Sequence, residues 1–225
     1  PILERATVRL SRLQSHDALL ILKNSLSAPK LMYTLRSSPC SDCPELDVFD
    51  GLLRTSLSAI TNVLLDGPAW VQATLPVSRG GLGIRSVALL APSAFLASAA
   101  ATRDLQDRLL PGDDDWHDLA LDSTLSIWSS RYGVQAPVGT ASFKQANWDQ
   151  ASVESGLASL DCHFDEPYHR ARLLAVRAKH SGDWLHAWPI SSCGLRLDDE
   201  AIRIAVGLRL GVNLCAPHTC PCGAQ

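Results

Sequence analysis

Three features of the sequence predict an all-α fold, an irregular multi-helix bundle with long connecting loops. Leu46, Phe49, Leu53, Leu57, Ile60 and Leu64 step by three and four residues, an apolar stripe about five helical turns long. The composition is aliphatic and small, 46% hydrophobic but only 6% aromatic and 19% charged, as in packed helices. A disordered chain would be more charged and less apolar. Alternating apolar and polar residues, the mark of a half-buried strand, are nearly absent.

The elements follow in order. Residues 4–14 read as a short helix, with Ala6, Leu10 and Leu13 on one side and Arg5, Arg9 and Arg12 on another. Ser15 suits the N-cap of a second helix with Asp17 in its first turn. Pro29 opens a third helix through Leu31, Met32 and Leu35. Cys43-Pro44-Glu45 starts the striped helix, and Gly67-Pro68 is expected to end it. Residues 66–86 read as a long irregular stretch carrying Trp70 and Arg79-Gly80-Gly81-Leu82-Gly83. Glycines so dense demand unusual backbone angles or close approach by another group. An Ala-rich helix follows, starting or kinking at Pro92. Asp113, Asp114 and Asp115 read as an exposed loop. Further helices are expected at 118–131, 143–160 and 166–179, with 133–141 as a boundary where packing partners change. Ile202, Ile204, Val206, Leu208 and Leu210 alternate as a strand would. Asp198-Asp199-Glu200 just ahead is a helix-start signal, because carboxylates favour the positive end of a helix, and it tips the reading to helix.

Charge is unevenly spread. Residues 1–38 hold six Lys or Arg against two acids, a balance of +4; residues 39–225 hold 14 against 21, a balance of −7. Phosphate affinity comes from local basic clusters, so Arg5, Arg9, Arg12, Lys23, Lys30 and Arg36 are the candidate nucleic-acid contacts. The competing reading is a solvated helix face balancing an acidic remainder. The longest apolar run, Val87 to Ala101, is interrupted by Pro92, Ser93 and Ser98, so no membrane partner is expected. Seven cysteines make an odd set, which argues against a disulfide framework and for an intracellular, reducing setting. The first residue is Pro and the last three follow a Cys cluster, so both ends are expected to be cut from a longer protein.

No acid pair, nucleophile–base pair or triad marks a catalytic site. His163, Asp165 and His169 lie close in sequence, but a six-residue step and Pro167 fit one helical face poorly. The Arg79–Gly83 run lacks the strand and the Lys-Ser/Thr ending of a phosphate loop and reads as a turn. The tail is different. Cys220 and Cys222, with Cys215 and His218 as nearby candidates, offer zinc-type ligands, though ligands one residue apart rarely wrap one ion and the site is expected to be incomplete. Cys162 reads as a buried core thiol.

Several segments together resemble the C-terminal half of non-LTR retrotransposon reverse transcriptases. Leu13 to Leu20 and Ala28 to Arg36 are similar to the thumb helices that follow the palm. Leu75-Pro76-Val77-Ser78-Arg79-Gly80-Gly81-Leu82-Gly83-Ile84-Arg85 resembles a signature found beyond the thumb. Trp188-Pro189-Ile190, Gly194-Leu195-Arg196-Leu197 and Leu208-Arg209-Leu210-Gly211 resemble the approach to a zinc knuckle, and Cys220-Pro221-Cys222-Gly223 its opening. The resemblance implies a thumb-like helical segment at 1–65, a glycine loop and Ala-rich helical linker at 66–132, a C-terminal helical subdomain at 133–214 and a truncated knuckle-like tail at 215–225. It implies an RNA-directed DNA polymerase as the parent, with catalytic divalent metal held by palm acids absent from this chain. The expected part of this segment is to hold RNA, DNA or their hybrid, non-catalytically, and to connect polymerase to knuckle in an element acting in the nucleus. The alternative is a helical protein-interaction or scaffold module with no nucleic-acid role.

Overall fold

The computed structural model describes residues 2–109 and 118–215. Among the described residues all regular structure is helical, so the all-α expectation holds. The α-helices are α1 (Ile2–Leu10), α2 (Ser15–Ile21), α3 (Ala28–Ser37), α4 (Pro44–Thr61), α5 (Gly67–Thr74), α6 (Val87–Leu109), α7 (Leu119–Tyr132), α8 (Gln145–His163), α9 (Pro167–Arg177) and α10 (Asp199–Leu210). A wide π turn at Leu22–Leu26 joins α2 to α3.

Two layers of packing organise the chain. In the first, the apolar stripe of α4 does what its spacing predicts: Leu53, Leu57 and Ile60 bury against Leu19 and Leu22 from the α2 region and Ile202, Val206 and Leu210 from α10. Leu82 and Ile84 of the glycine-rich loop enter the same core. In the second, α6 is the hub on which α3, α4, α7 and α8 all pack. Its small residues Ala91 and Ala94 let Leu35 of α3 approach closely, and its Leu96 and Ala97 meet Trp128 of α7 and Trp148 of α8, whose rings sit edge to face 5.1 Å apart.

Three helix starts are capped by aspartates. Asp66, Asp118 and Asp198 each accept a backbone N–H from the first turn of the following helix, at 2.8, 3.0 and 2.7 Å. The start of α6 is held from another helix. Asp50 of α4, buried, accepts from Val87 N–H at 2.8 Å and from the Ser86 hydroxyl, while Ser86 Oγ accepts from Leu89 N–H. Burial pushes the Asp50 carboxyl up, and the donated hydrogen bonds pull it part of the way back.

Four local expectations are corrected. The striped helix stops at Thr61 because Asn62 turns left-handed at φ +48°, which leaves Leu64 87% exposed. Gly67-Pro68 opens α5 rather than closing α4: Asp66 caps it and Pro68 sits in the first turn, where its missing N–H costs nothing. Ser15 is not an N-cap. Its hydroxyl donates to the Ile60 carbonyl at 2.7 Å, and its N–H is taken by Asp199 at 2.7 Å, tying α2 to the end of α4 and the start of α10. Helix α1 ends at Leu10, so Leu13 turns out to solvent.

Packing partners change along α8. Trp148 and Ala151 join the α6–α7 cluster, whereas Val153, Leu157 and Leu160 pack on Leu75 and Val71. Pro92 lies within a continuous α6, and the 202–210 segment is a helix as expected. No helix among the described residues is long and apolar enough to cross a membrane.

Candidate nucleic-acid interface

Of the fourteen Lys and Arg beyond residue 38, all of them among the described residues, half meet a carboxylate: Arg79–Glu154, Arg85–Asp149, Arg103–Asp107, Arg170–Asp165, Arg177–Asp161, Arg203–Glu200 and Arg196–Asp17. Among the described residues, none of Arg5, Arg9, Arg12, Lys23, Lys30 or Arg36 forms such a pair. Asp17, one of two acids in that segment, is instead held by Arg196 at 2.7 Å. A cation from the acidic remainder thus neutralises an N-terminal carboxylate, and the N-terminal cations have no carboxylate partner among the described residues.

The six candidates fall into two groups. Arg5 and Arg9 lie one turn apart on the exposed side of α1, whose Leu3 and Leu10 bury on the other, and Arg12 follows in the turn beyond, also exposed. Lys23, Lys30 and Arg36 belong to the π turn and α3. Lys30 and Arg36 are exposed, and Arg36 Nη2 donates to the neutral Gln145 side chain at 3.1 Å. Lys23 is half-buried. Its Nζ donates to the Leu185 carbonyl at 3.0 Å, and burial, with the nearby Arg209 cation, lowers its pKa. It is therefore partly structural, clasping the π turn to the 183–185 turn.

Two adjoining grooves flank α3. The larger, about 770 Å³, runs between α3 and α6 and is walled by Met32, Tyr33 and Arg36 on one side and Phe95, Ser98 and Thr102 on the other. The smaller, about 400 Å³, lies where α3, the Gly83 turn and α8 meet, and Lys23, Arg85 and Asp149 line it. Met32 borders both. Arg85 and Asp149 pair at 2.6 Å, largely buried; desolvation lowers the arginine pKa and raises that of the carboxyl, each opposed by the other's charge. With that pair neutral overall, Lys23, Lys30 and Arg36 outnumber Asp118, the carboxylate that lines the larger groove, and give the α3 face its positive sign. Arg5, Arg9, Arg12 and Lys30 line neither groove.

The sequence signal that sequence reasoning passed over is Tyr33. Its side chain stands 84% exposed on α3 beside the larger groove. Lys30, Tyr33 and Arg36 are spaced by three, which was legible in the sequence.

The glycine-rich run is a structural clasp, and it faces protein. Gly80 adopts φ +87°, and a Cβ on Gly81 would lie 2.1 Å from the Leu75 carbonyl oxygen. The loop amides of Gly81, Leu82 and Gly83 are consumed by the carbonyls of Pro76, Ala73 and Leu75. Its carbonyls receive Arg209, 4% exposed, which donates to Gly81 at 3.0 Å, Val77 at 2.8 Å and Ser181 at 3.2 Å. Gln72 bridges Gly80 and Arg209 carbonyls, and Arg172, 8% exposed, donates to Gln72 and to the Arg209 carbonyl. With its N–H groups spent, the loop has no cradle to offer a phosphate.

Of the proposed metal ligands, Cys215 is exposed at the end of the described segment, while His218, Cys220 and Cys222 lie outside the described residues, as does the 113–115 acid run. Among the described residues no three His, Cys, Asp or Glu side chains converge as a metal site would require. Around 163–169, His169 stacks on Phe164 at 4.8 Å and Arg172 covers the same ring at 5.1 Å. Cys162 is exposed, a correction to its reading as a core thiol: Leu157 and Leu160 take the inward positions of α8.

Comparison with models of protein families, with curated proteins and with solved structures returns no match in any of the three.

Proposed function

We propose that this chain is a non-catalytic helical segment that holds a nucleic-acid backbone, with the α3 face as its principal contact. The reading follows the family resemblance of the thumb-like and glycine-loop segments, in which such a piece lies C-terminal to a reverse-transcriptase palm. The observation that carries it is electrostatic. In a chain of net charge −3, the cations of residues 1–38 are left without carboxylate partners among the described residues, and two of them, Lys23 and Arg36, line open grooves. Exposed cations without partners are what phosphate contacts require, because their counterions are released on binding.

The test is anisotropy of a labelled oligonucleotide across a salt series. Log affinity should fall against log salt with a slope of about 0.9 per duplex phosphate contact. Lys30→Ala with Arg36→Ala should reduce that slope by about two, whereas Arg5→Ala with Arg9→Ala should reduce it less. Absence of binding at low salt, or a flat salt series, overturns the proposal.

The knuckle part of the reading rests on the donor types of Cys215, His218, Cys220 and Cys222 alone. Cadmium titration followed by thiolate absorption tests it, and a silent titration of a chain extended beyond residue 225 overturns it. A helical interaction module is the second reading, favoured by the exposed Trp188, Ile190 and Leu195 in the loop before α10. Loss of partner capture when Trp188 is replaced by Ser, in a chain that binds no oligonucleotide, would put it ahead.

A further inference from the structure

We infer that the larger α3 groove takes single-stranded nucleic acid, with Tyr33 as the platform on which one unpaired base stacks. The inference rests on the proposal that the α3 face contacts nucleic acid, and it adds the state of the strand and the residue that reads it. Lys30, Tyr33 and Arg36 stand three residues apart on a regular helix, so they fall within about 120° of one another and span roughly 9 Å of helix axis. A single aromatic ring thus stands between two cations, both exposed.

The ring has little structural reason to be where it is. Tyr33 is 84% exposed, while the inward positions of α3 are filled by Ala28 and Leu35, with Leu31 and Met32 packed beside them. Its face is open to solvent at the edge of a groove of about 770 Å³, within the size range of small-molecule pockets. Met32 and the largely buried Phe95 also line that groove, an apolar surface for a second face of the ligand. Ser98 and Thr102 line the far wall.

Strand state follows from which faces are available. In a duplex, base faces are covered by their neighbours, and a protein ring at the surface meets sugar and phosphate. An unpaired base exposes its π face, and stacking on an aromatic side chain contributes about 1–3 kcal/mol per base. Lys30 and Arg36 then lie where the phosphates on either side of that nucleotide pass, and Arg36 is held in place by Gln145. Ring and cations together fit a strand and leave a duplex with only the cations.

The experiment uses the whole chain and three labelled probes of about 12 nucleotides, within the site sizes of single-strand binders: oligouridylate, an abasic oligomer of equal charge, and an RNA–DNA duplex. Tyr33→Ala should weaken oligouridylate binding by roughly tenfold and leave the abasic oligomer and the duplex unchanged. Tyr33→Phe, which keeps the ring, should bind oligouridylate as the native chain does. Unfolding by circular dichroism should match the native chain in both variants, since the side chain is exposed. If Tyr33→Ala binds oligouridylate normally while Lys30→Ala with Arg36→Ala weakens all three probes, the stacking inference is overturned and the phosphate reading stands. Equal loss in Tyr33→Phe and Tyr33→Ala overturns stacking in favour of a hydroxyl contact. No binding of any probe overturns both.

Discussion

Two pairs of cations without a carboxylate partner among the described residues have opposite fates. Arg172 and Arg209 are buried between α5, α9 and α10; Arg209 donates to three backbone carbonyls, while Arg172 donates through Nη1 alone, to Gln72 and the Arg209 carbonyl. Lys30 and Arg36 stand in solvent on α3. A buried guanidinium must be compensated inside the protein, because desolvation opposes its charge; burial lowers the pKa of both Arg172 and Arg209. The carbonyls of Gly81, Val77 and Ser181 supply that compensation for Arg209. Exposed cations carry no such debt and remain available to an anion. The same residue type is therefore structural in one region and available in the other, and the difference lies in burial rather than in sequence context.

The comparison is broken most severely at the loop. In Gly81→Ala the new Cβ would meet the Leu75 carbonyl carbon and oxygen at 2.5 and 2.1 Å, backbone atoms that cannot step aside cheaply. We expect a loss of about 4 kcal/mol or more, or no soluble protein, because the clash displaces the carbonyls that hold Arg209. Next is Arg209→Met, which keeps much of the side-chain volume but strands the carbonyls of Gly81, Val77 and Ser181. Chemical denaturation should show a loss of about 3 kcal/mol. An unchanged midpoint in either variant would show that the loop is not the clasp described above.

How far the sequence reaches is seen in the same two regions. The 46–60 stripe, the Asp-led start of α10 and the segregation of charge were legible because each depends on local periodicity or composition. The glycine loop was legible as a place of backbone constraint, and Gly80 and Gly81 fulfil that in two ways. Its partner was not legible. Arg209 sits in an alternating run where nothing local separates a buried arginine from an exposed one, and Gln72 and Arg172 reach it from elements 137 and 37 residues away. The Ser15 cap failed for a related reason. A distant carboxylate, Asp199, and a distant carbonyl, that of Ile60, compete successfully for a residue whose local signal was sound. Among the site candidates, the unmatched cations were readable from charge counts. Tyr33 required knowing which face of α3 packs on α6.

A smaller effect tests how the C-terminal loop is held on α2. His16 is buried and its Nδ1 accepts the Leu197 N–H at 3.1 Å, so the ring proton sits on Nε2. Burial lowers its pKa, outweighing the opposing pull of Asp17. A depressed folded-state pKa contributes stability that is present above the ordinary histidine value of about 6.5 and is lost as pH falls through the folded value. The melting temperature should therefore decline on acidification below about 6.5, and His16→Gln should be less stable near neutrality but flatter across that window. A native and a His16→Gln profile that run parallel would exclude the imidazole as the cause.

The smallest effect on stability belongs to the face with the largest proposed effect on binding. Lys30→Ala with Arg36→Ala removes two exposed side chains with no ion pair among the described residues; the hydrogen bond from Arg36 to Gln145 is itself exposed. Surface changes of this kind usually fall within about 0.5 kcal/mol. If the two cations crowd one another or their neighbours electrostatically, removal should even stabilise the fold slightly at low salt, and added salt should erase that gain. Arg85→Ala makes the contrast on the adjoining smaller groove, because it strands the largely buried Asp149 and should cost about 3 kcal/mol or more. Denaturation of the two variants side by side separates a face kept free for a ligand from one used to hold helices together. A loss in the Lys30 and Arg36 double variant as large as that in Arg85→Ala would make the α3 cations structural after all.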